Sequence, residues 1–243
     1  MFVQQYSDAV FRVLHEVFDQ ETEKIEKAGA MLADTLQNDG LLHVFGCGHS
    51  HIVEEELFFR AGGLAAANAI FETSVMLHEG ASKSSRIERM SGYAPLVLEG
   101  YPIASGDCFL IVSSSGINPF PIEMAQEAKR RGAKVIGISS FLYLEKPSRE
   151  ANGLHLPDVC DLCIDNHVPV GDATIEVRRD GTRAGPVSSL ASVCIANSVV
   201  LAACDRLRER GIEPEVYKSG NCEGSDAHNA DLIRRFRARI RHL

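Results

Sequence analysis

Apolar residues recur along this chain in two rhythms. From residue 3 to residue 37 they fall at Val3, Tyr6, Val10, Val13, Val17, Ile25, Ala28 and Leu32. That three-and-four spacing predicts an amphipathic helix, which Asn38-Asp39-Gly40 stops. Short unbroken runs follow at Leu41–Phe45, Ala69–Phe71, Cys108–Val112, Lys134–Ile138 and Leu162–Ile164. Runs of this length without polar alternation predict strands covered on both faces, as in a parallel sheet. Helical stretches are expected between them, from about Ile52 to Ala61 and from Pro119 to Arg131, closed by Gly62-Gly63 and Gly132. Ile175-Glu-Val177 reads as a short strand or extended loop. Gly185-Pro186 opens a strongly apolar helix to Arg210, expected to be buried, and His228-Asn229 opens a basic helix through Leu243. No linker, internal repeat or low-complexity segment divides the chain, so one α/β domain is expected.

Two strand exits carry chemistry. Cys108-Phe-Leu-Ile-Val runs into Ser113-Ser-Ser-Gly-Ile-Asn118 and then a proline-marked helix start. Open α/β sheets bind ligands at strand carboxyl ends, and a helix start offers N–H groups to an anion. Period two points Ser113 and Ser115 the same way, and Gly116 permits close approach, so a phosphoryl group is the natural guest. Taken alone, the turn is equally an ordinary connection rich in small residues. The exit Gly46-Cys-Gly-His-Ser50-His51 is a second glycine-rich turn. It starts like a dinucleotide fingerprint, with Glu72 in the place of a ribose-binding acid, but His51 stands where the third glycine belongs.

Net charge is −8, from 33 acidic and 25 basic residues, which argues against a general grip on nucleic acid or an anionic membrane. The amino terminus lacks the pattern of a targeting segment and no run approaches a membrane span, so a cytoplasmic protein is expected. Seven cysteines, several inside apolar elements, fit reduced thiols better than disulfides. Neither Cys47, His49 and His51 nor Cys160-Asp-Leu-Cys163 has a second ligand set, and Cys163 belongs to the next strand. No metal and no cofactor are expected.

The exits Gly46-Cys-Gly-His-Ser50 and Ser113-Ser-Ser-Gly-Ile-Asn118, with Gly106-Asp107 before one strand and Gly132-Ala-Lys-Val-Ile136 after the helix, resemble the sugar isomerase (SIS) domain. Residues 41 to 140 carry the likeness closely. The blocks His78-Glu-Gly-Ala, Glu88-Arg-Met-Ser-Gly-Tyr, Asp165-Asn-His-Val-Pro-Val-Gly-Asp172 and Asp226-Ala-His-Asn229 resemble a stand-alone bacterial subgroup of that family. The resemblance implies a three-layer α/β/α sandwich, doubly wound around a five-stranded parallel sheet. It would be one SIS domain over 1–243, with a helical extension at 1–38 and a terminal helix at 228–243. It also implies a homodimer or homotetramer with sugar phosphate in subunit-shared clefts. Ser50, Ser113 and Ser115 match the family's phosphate-holding positions, with Gly48 and Gly116 shaping the turns. Asn118 stands where many members carry Thr or Ser, and its amide can still donate to a phosphate oxygen.

Family members isomerise phosphorylated sugars, cleave an ether from them, or only sense them. Aldose–ketose isomerisation needs a base to move a proton between neighbouring carbons and a group to handle the oxygen proton. Glu88 is the expected base and His228 the expected partner, across a subunit boundary if need be. A surface ion pair for Glu88 and a capping role for His228 are equally open. His49, Glu79 and Asp172 are further candidates for substrate contact. Gly181-Thr-Arg183 distantly resembles the ether-cleaving branch, and binding without catalysis is the remaining alternative.

Overall fold

The computed structural model describes residues 1–243. Helix α1 spans Phe2–Gln37, and its stripe Ala9, Val13, Val17, Ile25, Ala28 and Leu32 is buried as the spacing requires. Five strands follow, β1 (Leu42–Gly46), β2 (Ala67–Ala69), β3 (Cys108–Val112), β4 (Lys134–Ser139) and β5 (Leu162–Asp165). They form one wholly parallel sheet in the order β2-β1-β3-β4-β5. β1 and β3 are buried at every position, which is why their sequences do not alternate.

The sheet has a core on each face. One face, with Leu42, Val44, Leu110, Ile136 and Ile138, packs on α1 and on α7 (Ser188–Glu209). The other, with Phe45, Phe109, Ile111 and Val135, packs on α4 (Ala94–Leu98) and α5 (Pro119–Arg130). This is the doubly wound three-layer sandwich. Gly29 brings α1 and α7 together: a Cβ there would lie 2.4 Å from Ala202 Cβ.

The remaining helices are α2 (Ile52–Leu57), α3 (Ala81–Ile87), α6 (Leu156–Val159) and α8 (Ser225–Phe236). Several elements differ from the sequence pattern: α2 ends at Leu57 rather than near Ala61, and α8 begins at Ser225 and ends at Phe236 rather than spanning 228–243. β2 begins two residues before the expected apolar run, because the chain pairs with β1 through Ala67-Asn68-Ala69 and turns away at Ile70. Gly185-Pro186 does not open α7 but ends β7 (Arg183–Pro186), antiparallel to β6 (Ala173–Glu176). α7 is long and apolar enough to cross a membrane by length and composition, contrary to the sequence expectation, with a mean hydropathy of 1.5 over 18 residues. It lies along α1, however, with Ala191, Ile195, Ala196, Val199 and Ala203 in the core and Leu190 and Leu201 exposed, so it is half-buried rather than enclosed. All seven cysteines are free thiols.

Candidate functional site

The strand order reverses between β1 and β3, and both glycine-bearing turns leave the sheet at that point. A crevice forms at such a switch because the two connections leave for opposite faces. The first turn passes into a short 3-10 helix, Gly48–His51, with Gly48 in the left-handed region (φ +57°). The second holds Gly116 at φ +60°, where a Cβ would sit 2.6 Å from Ser139 Oγ, so only glycine fits.

The amides of Cys47, Gly48 and His49 in the first turn, and of Ser115, Ile117 and Asn118 in the second, donate to nothing within the chain. Convergent free amides of this kind suit an oxyanion. The start of α5 contributes less than the sequence suggested. Pro119 and Pro121 carry no N–H, and Phe120 N–H donates to Glu88 O at 3.2 Å.

The serines divide differently from the period-two expectation, because β3 ends at Val112 and the alternation ends with it. Ser113 is buried and its hydroxyl accepts from Gly116 N–H at 3.2 Å. Ser115 makes no side-chain bond within the chain and is half-buried. It is Ser114 that shares a cleft with Ser50, opposite Ser188, Ser189 and Ser192 in the first turn of α7. Asn166, just beyond β5, donates to Ser114 Oγ at 3.1 Å. Ser192 Oγ is buried without a partner. Three serines within five residues after a proline mark a polar helix start, a signal masked by the apolar character of the helix as a whole.

Glu88 closes α3 and lies over the second turn, with Asn118 donating to its Oε1 at 2.7 Å. Burial pushes its carboxyl above the usual carboxylate range, and Asn118, Arg89 and Arg149 pull it down without cancelling that rise. Asn118 is thereby spoken for: its carbonyl also accepts from Arg149 at 2.7 Å. In this structure its side chain is bonded to Glu88 and Arg149.

Of the four other candidates, His228, Glu79 and Asp172 stand away from these turns or are already engaged, while His49 lies in the first turn. His228 meets Val216 O at 2.9 Å, and Val216 bridges Leu64, ahead of the amino end of β2, so one chain does not bring His228 to Glu88. Glu79 is exposed and paired with Lys83 one helical turn on at 2.9 Å, and that bond holds its carboxyl low. Asp172, with φ +63°, accepts from Val187 N, Ser188 N and Ser188 Oγ and so anchors the start of α7. His49 is exposed beside Ser50. The fingerprint residues are also engaged: Glu72 accepts from Ser74 N and Tyr93 OH, and His51 Nδ1 faces Gly48 O.

Residues 5–140 match the SIS domain family. The chain belongs to that family. Relatives along its whole length are UPF0309 proteins, one of Caldanaerobacter subterraneus 40% identical over 242 residues, covering 98% of each chain. Another, of Geobacillus thermodenitrificans, is 41% identical over 239 residues, covering 98% of this chain and 96% of that one. Among solved structures, phosphoheptose isomerase from Neisseria gonorrhoeae superposes with a TM-score of 0.57 at 16% identity, covering 83% of this chain and 96% of that one. The NanR protein of Vibrio vulnificus, complexed with ManNAc-6P, superposes with a TM-score of 0.53 at 15% identity, covering 96% and 69%. At these identities the likeness is one of fold.

Proposed function

We propose that this protein binds a phosphorylated sugar at the switch point and interconverts its aldose and ketose forms. The observation that carries the reading is the pair of neighbouring turns at the carboxyl ends of β1 and β3, whose amides have no partner within the chain and whose Ser50 and Ser114 line one cleft. In a chain of net charge −8, an anion must be caught by such local donors rather than by a general field. Ser50, Ser113, Ser114 and Ser115 and the turn amides take the phosphate. Glu88, raised by burial and adjoining the second turn, takes the proton from carbon. Phosphoheptose isomerase, of the same fold, acts as its name says, which supports the reaction class.

The cleft in one chain offers only about 10 Å³ to a water-sized occupant, far below a site that encloses a sugar. That shortfall supports a second subunit supplying the missing walls. Phe2, Phe11 and Phe18 on the outer side of α1 are exposed apolar groups suited to such an assembly. His228 enters the reaction only by way of that second subunit.

The test is a thermal-shift panel of aldose, ketose and amino-sugar phosphates, followed by product analysis on each binder with wild type and Glu88→Gln. Conversion by wild type, with binding retained and turnover reduced about 10²-fold or more in the variant, is the expected result. Binding without conversion would replace the enzyme by a sensor. The engagement of Glu88 Oε1 by Asn118 favours that second reading.

A further inference from the structure

Glu54 is a carboxyl with no cation to answer it. It lies in α2 and is 1% exposed. Its Oε1 accepts the Gly46 N–H at 2.6 Å, and its Oε2 has no partner. The ionisable groups around it are Glu55 from its own helix, Glu72 beyond β2, the Cys47 thiol from the exit of β1, and the Tyr101 phenol before β3. None carries a positive charge. Burial, with Glu55 and Glu72 adding to it, holds the carboxyl well above its usual range against the single bond from Gly46. An unpaired charge in such a place costs far more than a neutral acid.

The position of Glu54 gives this proton a purpose. It sits one helical turn after Ser50, and its side chain reaches back to Gly46 at the start of the first turn. The turn is packed tightly: a Cβ on Gly46 would lie 2.6 Å from Ser50 O and 2.9 Å from Ser50 Cβ. Oε2 is itself buried without a partner, so an ionised Glu54 gains water there only by opening its surroundings.

We propose that Glu54 is a positioning residue, a neutral acid that latches Gly46 and thereby fixes Ser50 for its anion, and that its ionisation releases the turn. The ligand half of this inference rests on the phosphosugar reading above; the latch does not. Because the folded state holds the proton more tightly than the unfolded chain, the stabilisation is complete below the ordinary glutamate value. It is lost as pH rises from there through the raised folded value. Glu54→Gln keeps the acceptor for Gly46 and has no proton to lose. Glu88 titrates in both proteins and cancels in their difference.

The experiment compares wild type, Glu54→Gln and Glu54→Ala by urea unfolding from about pH 5 to about pH 9, with calorimetric titration of a sugar phosphate and of inorganic phosphate. The expected result is that wild type loses stability and affinity relative to Glu54→Gln as pH rises. Glu54→Ala should bind about tenfold more weakly and Glu54→Gln within about twofold of wild type near neutrality. Parallel unfolding profiles for wild type and Glu54→Gln overturn the latch, and undiminished binding by Glu54→Ala overturns the positioning. If wild type binds neither probe, the proposed function and the ligand half fail together, and the unfolding comparison still decides the latch.

Discussion

Asn118 donates its side-chain amide to Glu88 Oε1 at 2.7 Å while accepting from Arg149 Nη1 at the same distance. The residue at the head of α5 therefore ties the turn after β3 to Glu88, the proposed base. A hydrogen bond to a carboxylate favours its charged form, so this tie partly offsets the rise that burial imposes on Glu88. Asn118→Ala should move the Glu88 titration to higher pH, and the acid limb of any turnover with it. Carboxyl-carbon NMR on both proteins measures this; a downward shift or none contradicts it.

Ser114→Ala should weaken a sugar phosphate about tenfold, since a hydrogen bond to a charged group is worth ~1.5–3 kcal/mol. Glu79→Gln, which weakens only exposed contacts with Lys83 and Thr73, should leave affinity unchanged. Titration calorimetry on the two variants separates a wall of the cleft from a nearby surface acid.

Gly29→Ala should destabilise the fold by about 1–3 kcal/mol, because its methyl meets Ala202 Cβ and the backbone of Ala203 on α7. The loss should appear in the urea midpoint with little change in slope.

Asp107 is fully buried with His43, their side chains 3.0 Å apart, and also accepts from Leu41 N and Ala104 N. Burial pushes its carboxyl up, but those hydrogen bonds together outweigh it and leave it below the ordinary aspartate value. Its stabilisation is therefore present above the unfolded value and lost as pH falls through the lower folded one. Wild type should lose stability relative to Asp107→Asn over that acid window, as followed by circular dichroism. Asp107→Ala should cost ~3–5 kcal/mol at neutral pH by leaving a buried partner unmatched.

The sheet was legible because β1, β3 and β4 are buried on both faces, and continuous apolar runs record that directly. The two turns were legible because Gly48 and Gly116 occupy left-handed backbone that the sequence marks with glycine. The division of labour among side chains was not. Asn118, Asp172 and His228 are polar residues on turns or helix starts, and such positions mark binding and capping alike. Only the chain's return path shows that Asp172 holds the start of α7 and that His228 faces Val216. The Ser188, Ser189 and Ser192 wall depends on the distant docking of α7 against the Ser50 turn, a contact no local pattern encodes.

The turns after β1 and β3 are proposed to capture a phosphate borne by a sugar. Phosphorus NMR on a sugar phosphate titrated with wild type, Ser50→Ala and Ser115→Ala, beside calorimetry with the parent unphosphorylated sugar, tests it most directly. The account predicts a shifted or broadened phosphorus resonance with wild type, affinity about tenfold lower in each variant, and no measurable binding of the parent sugar. Equal affinity for the unphosphorylated sugar, or binding untouched by both substitutions, would contradict it.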